Sequence, residues 1–110
     1  MTARPLEISV AEVRDLLERG APLRLIDCRE EFEHNICRIG AAELIPMRSI
    51  PLHLQHLRDE GLPLVVLCHH GVRSLAVVEW LRRNGVEDCR SMAGGIDRWS
   101  LEIDARVPRY

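Results

Sequence analysis

Within one heptapeptide, Cys68-His69-His70-Gly71-Val72-Arg73-Ser74, the chain gathers a thiol, two imidazoles, a guanidinium and a hydroxyl. A free thiol titrates near about 8.5, and nearby positive charge or the start of a helix lowers that value until thiolate becomes the resting form. Arg73 supplies a charge that cannot be titrated away at ordinary pH. Gly71 allows a tight loop whose N–H groups point inward, and the first N–H groups of a following helix add partial positive charge. Such a setting activates a sulfur nucleophile and also holds an anion delivered to it. The competing reading is a buried cysteine that merely ends a strand. The company of Gly71, Arg73 and Ser74 favours a reactive one. In that reading Cys68 and Arg73 carry the chemistry, while His69, His70, Gly71, Val72 and Ser74 form the binding loop. Ser74 is expected to cap the helix and to donate to the sulfur.

The elements that position this loop are legible around it. Leu64-Val65-Val66-Leu67 is a short apolar run of the kind buried in a sheet. After Ser74, apolar residues at 77, 78 and 81 with charge at 79, 82 and 83 describe an amphipathic helix. Cys68 then sits at the carboxyl end of a central strand, where open α/β sheets bind ligands. Elsewhere the pattern repeats. Leu6 to Ile8 reads as a strand, and Ser9 with Glu12 opens a helix that Gly20 stops. Leu23 to Ile26 is a strand ending at Asp27, and Glu30 to Gly40 is a polar connection with a helical turn. A short strand follows at 43–45, then a helix capped by Ser49 and ending by Gly61. Cys89 to Met92 is the last strand, and Ala93-Gly94-Gly95 turns into a helix bearing Ile96 and Trp99. The tail from Leu101 to Tyr110 reads as coil laid over the domain. Strands alternating with helices call for an α/β fold: a five-stranded, mostly parallel sheet with helices on both faces.

The loop resembles the active-site loop of the rhodanese (thiosulfate sulfurtransferase) family, and other segments fit that resemblance in order. Leu25-Ile26-Asp27-Cys28-Arg29-Glu30 is similar to its Asp-Val-Arg-Glu element, and Glu33 through Ala41 to its Glu-x-x-x-Gly-His-Ile-x-Gly-Ala element. Gly94-Gly95-Ile96-Asp97-Arg98-Trp99 is similar to its Gly-Gly-x-x-x-Trp. The resemblance runs from about Ile8 to Trp99. It implies one rhodanese domain over 1–110, with a core of about 6–100. It also implies transfer of sulfane sulfur from thiosulfate or a persulfide donor, through a Cys68 persulfide, to a thiol, a protein or another thiophilic acceptor. Asp27 would support the loop. The chain departs from the family at Asn35-Ile36-Cys37-Arg38-Ile39, where Gly-His and Pro are absent, which leaves that loop's conformation open.

Two rivals stand beside this reading. Cysteine-dependent phosphatases carry a Cys-x5-Arg loop, wide enough for a phosphoryl group. Here four residues separate Cys68 from Arg73, giving a narrower ring of N–H groups centred nearer the sulfur. A relay or binding module with little thiosulfate turnover is the other rival. Cys37 is a candidate second thiol able to resolve a persulfide, with a half-buried loop cysteine as its plainer alternative; Cys28 and Cys89 read as strand-edge packing. His53 and His56, three apart, have no third metal ligand at a suitable spacing, and no metal or cofactor is expected. A net charge of −2 gives no reason to expect nucleic acid or an anionic membrane as partner. Met1-Thr2-Ala3-Arg4-Pro5 lacks a signal peptide's apolar core. Together with four cysteines and no CxxC pair, this fits a cytoplasmic setting.

Overall fold

Short apolar runs pair into one sheet: β1 (Glu7–Ile8), β2 (Arg24–Asp27), β3 (Glu43–Leu44), β4 (Leu64–Leu67) and β5 (Cys89–Met92). The structure, a computed structural model, describes residues 4–110; Met1 to Ala3, part of the amino-terminal stretch read above, lie outside the described residues. The strand order is β1-β5-β4-β2-β3 and every pairing is parallel, so the sheet is wholly rather than mostly parallel. β4, with all four residues buried, runs down its middle.

Side-chain alternation divides the core into two layers. Ile26, Val66 and Cys68 project to one face with Leu57, Val77, Val78 and Leu81. Leu25, Val65 and Leu67 project to the other with Val10, Val13, Ile96 and Trp99. The helices that supply these residues are α1 (Val10–Glu18), α3 (Leu54–Glu60), α4 (Val72–Arg83) and α5 (Gly95–Glu102); the short α2 (Glu31–Ile36) follows β2. Helices therefore cover both faces. None among the described residues is long and apolar enough to cross a membrane. From β2 the chain crosses to β3 on one side, and from β4 to β5 on the other. The reversal makes the carboxyl ends of β2 and β4 the topological switch point, the place where open α/β sheets bind ligands.

Three local expectations change. Met47–His53 is a 3-10 helix, and Ser49 does not cap an α-helix: its N–H bonds Pro46 O at 2.7 Å inside the 3-10 turn. Pro51 lacks the N–H that an α-helix would need there, so regular helix starts only at Leu54. α4 starts at Val72, with Gly71 as its N-cap at φ 102°, so Ser74 lies inside the first turn and is not the cap. α5 extends through Glu102, so coil begins two residues later than Leu101.

Candidate active site

Cys68 closes β4 with 1% of its surface exposed, and its sulfur is the focus of the loop that follows. Gly71 N–H donates to Sγ at 3.1 Å and Ser74 N–H at 3.3 Å. Ser74 Oγ is also 3.3 Å from Sγ, and 2.7 Å from Ser91 Oγ on β5. Ser74 and Ser91 are fully buried, so a chain of two hydroxyls runs under the sulfur from the core. The early start of α4 creates this arrangement. It places Ser74 where both its N–H and its hydroxyl reach the thiolate, and it leaves the helix's first donors for the sulfur.

A fourth group meets the sulfur from the neighbouring strand. β2 and β4 are in register with Asp27 opposite Leu67, and Cys28 N–H continues the ladder to Leu67 O at 2.9 Å. Cys28 therefore lies opposite Cys68 and enters the same core layer, also with 1% exposed. The Cys28 thiol, donating toward Cys68, is the largest influence holding the Cys68 pKa down to about 4, followed by the Ser74 hydroxyl and the N–H groups of Ser74 and Gly71. Burial opposes them and is outweighed. The same contact, with burial, pushes the Cys28 thiol up, so one proton stays on Cys28 and the charge stays on Cys68. Reading Cys28 as strand-edge packing missed this. The signal available in the sequence was its place one residue beyond a strand, as Cys68 is.

Arg73 turns its guanidinium to Glu33 of α2, with Nη1 to Oε1 at 2.6 Å and Nη2 to Oε2 at 2.9 Å. The fork ties the start of α4 to the connection after β2, and Arg73 holds the Glu33 carboxyl down to about 2. Glu33 also accepts from Glu30 N–H at 3.0 Å and from the Tyr110 hydroxyl at 2.8 Å. Beneath it Asp27 and Arg29, both fully buried, form an ion pair with Arg29 Nη2 to Asp27 Oδ2 at 2.6 Å. The arginine that Asp27 faces thus comes from its own loop. Arg29 goes on to donate to Cys37 O at 2.7 Å, Glu33 O at 3.3 Å and the Tyr110 hydroxyl at 2.9 Å. Those bonds give the atypical 35–41 stretch its anchor in place of a family-like Gly-His turn. Arg29, Glu33, Ser91 and Tyr110 were not singled out as site residues.

The glycine pair brings α5 against the loop. Ile96 N–H donates to Cys68 O at 2.9 Å and Asp97 N–H to His69 O at 3.1 Å. Gly95 has φ 62°, and a β-carbon there would collide with the His69 carbonyl and lie 2.5 Å from Cys68 O. The other loop residues diverge. Val72 is 79% exposed, and His69 is stacked between His70 (3.9 Å between ring centroids) and Tyr110 (3.8 Å). His69 Nε2 is buried without a hydrogen-bond partner.

His69, His70 and Asp97 bring ligand atoms within 4.8 Å of one another. The stacked imidazoles, 24° from parallel, send their in-plane lone pairs side by side and not toward a common ion. Arg109 also holds Asp97 at 2.8 and 3.4 Å, so the cluster is poorly built for a metal. Cys37 caps α2 and belongs to the core layer on the opposite face of the sheet from Cys68, which removes it as the resolving thiol. Cys89, beside Leu64 at the far end of β4, donates to Val86 O at 3.2 Å.

A family model described as rhodanese-like domain matches residues 9–102. The adenylyltransferase and sulfurtransferase MOCS3-2 of Zea mays is 30% identical over 109 residues, which cover 94% of this chain and only 23% of that protein's length. The thiosulfate sulfurtransferase GlpE of Pseudoalteromonas translucida is 26% identical over 102 residues, 93% of this chain and 95% of that one. A crystal structure of a rhodanese-like domain protein from Staphylococcus aureus superposes with a TM-score of 0.79 at 30% identity, covering 96% of this chain and 99% of the other.

Proposed function

Because the chain belongs to the rhodanese-like family, whose members similar to it include sulfurtransferases, we propose that it moves sulfane sulfur through a persulfide on Cys68. Cys68 thiolate attacks the outer sulfur of thiosulfate, the S–S bond breaks, and sulfite leaves with the bonding pair. The outer sulfur then carries the negative charge. A thiol, free or on a protein, takes that sulfur and returns Cys68 to thiolate. Arg73 acts by fixing the loop through Glu33, and Asp27 by fixing Arg29; His69 and His70 border the entrance. The reading treats the chain as one rhodanese unit, with the segment after Glu102 as a strap over it.

The observation that carries the reading is the convergence of Gly71 N–H, Ser74 N–H and Ser74 Oγ within 3.3 Å of one sulfur atom. Donors already aimed at a charged sulfur suit a charge that moves one atom outward and back. A phosphoryl group needs them centred farther away. A protein acceptor is supported by the maize relative, in which the matching segment is part of a much longer sulfurtransferase. The test is intact mass after incubation with thiosulfate. One added sulfur, about 32 mass units, is expected on the wild type and none on Cys68→Ser. A full adduct on that variant would move the chemistry to another thiol.

A further inference from the structure

Transfer of sulfur to an outside acceptor gives Cys28 no part beyond that of hydrogen-bond donor, yet its position suits a second role. Paired strands lie about 4.8 Å apart, and a disulfide needs Cα atoms about 4.4–6.8 Å apart. Cys28 and Cys68 are opposite each other on β2 and β4, with side chains on the same face. The other two cysteines are badly placed: Cys37 is on the opposite face, and Cys89 is at the other end of the strands. Resting on the persulfide reading above, we propose that Cys28 resolves the Cys68 persulfide internally, making the protein a source of hydrogen sulfide.

In the resting site the Cys68 thiolate keeps a proton on Cys28. Once Cys68 bears a second sulfur, the charge lies on that outer atom and Cys68 Sγ becomes an electrophile. Cys28 Sγ attacks Cys68 Sγ, and the bond from Cys68 to the outer sulfur breaks. The outer sulfur takes the bonding pair and the Cys28 proton, leaving as hydrosulfide. Cys28 is oxidised and the sulfane sulfur is reduced, so no other oxidant enters. Two equivalents of an external thiol then reduce the Cys28–Cys68 disulfide and themselves become a disulfide. Over a cycle, thiosulfate and two thiols give sulfite, hydrogen sulfide and one thiol disulfide. The loop and β2 reach the sulfur from separate elements, so the attacking thiol does not have to displace the Gly71 and Ser74 donors.

The experiment loads the protein with thiosulfate under anaerobic conditions, removes excess donor, and follows intact mass and released sulfide without reductant. Wild type should pass from the persulfide mass to a species about 2 mass units below the reduced chain, releasing one sulfide per protein. Peptide mapping should then join the Cys28 and Cys68 peptides. Cys28→Ser should hold the added sulfur and release no sulfide, and Cys37→Ser should behave as wild type. Wild type that keeps its persulfide as long as Cys28→Ser does, or equal sulfide from both, overturns the inference and leaves sulfur transfer standing. Failure of wild type to take up any sulfur overturns both. The wild-type masses and peptide map stand whether or not Cys28→Ser folds.

Discussion

At Cys68 the balance between burial and hydrogen bonding decides whether the sulfur is thiol or thiolate. Burial alone would favour the neutral thiol, but four donors reverse it and hold the pKa to about 4. Alkylation of Cys68 should therefore stay level from neutrality downward and fall only as the pH passes through about 4. Cys28→Val, which removes the leading donor, should move that midpoint upward, read as iodoacetamide labelling rate against pH. The folded pKa is depressed from 9.0 to about 4, so the thiolate's contribution to stability is full above 9.0 and shrinks as pH falls toward 4. Arg73 calls for a different argument, because its fork binds Glu33. Arg73→Ala should slow sulfur uptake and lower stability by about 1.5–3 kcal/mol, the scale of a hydrogen bond to a charged group. Arg73→Lys should recover part of each, since an ammonium cannot span both carboxylate oxygens. Urea unfolding and single-turnover sulfur loading would separate the two effects. The type and place of Cys68 and Arg73 were legible from their spacing. The partner of Arg73 was not, because Glu33 is forty residues earlier and only the fold brings them together.

Among the elements, α5 has the narrowest tolerance. Gly95→Ala would force a methyl group into the carbonyls of Cys68 and His69 and require a left-handed backbone of a residue that avoids it. A loss of about 1–3 kcal/mol or more is expected, with a larger fall in sulfur loading than in stability, because the collision falls on the loop itself. Thermal melts beside loading assays would show the disproportion. Strand and helix order could be read from apolar periodicity because each element carries its own pattern. The start of α4 could not. Ser74 has the side chain of a helix cap, and the competing signal was Gly71, whose positive φ lets the helix begin two residues before Ser74. The role of Cys28 was hidden for another reason. Register between β2 and β4 is a long-range property, and a one-residue slip would have put Cys28 on the opposite face.

Across the whole molecule, one network joins the strands' carboxyl ends to the far end of the chain: Asp27 to Arg29, Arg29 to Tyr110, Tyr110 to Glu33, Glu33 to Arg73. Glu33, depressed from 4.5 to about 2, contributes stability that is complete above 4.5 and lost as pH falls toward 2. Glu33→Gln should lower stability at neutral pH and flatten its decline in acid, measured by urea unfolding at a series of pH values.

Tyr110, stacked on His69 and bonded to both Arg29 and Glu33, is the chain's one tyrosine. The molecule thus has a built-in spectroscopic reporter beside the loop that follows Cys68. Burial, with Glu33 adding to it, pushes the phenol up to about 12. Tyrosinate absorbance should therefore rise near 12 in the intact protein and nearer the ordinary value of 10.0 once the strap is detached. Glu33→Gln, by removing a neighbouring negative charge, should bring the transition down without detaching anything. A titration followed in the ultraviolet would then count the fraction of molecules with Tyr110 seated on His69, with no label attached and no substrate present.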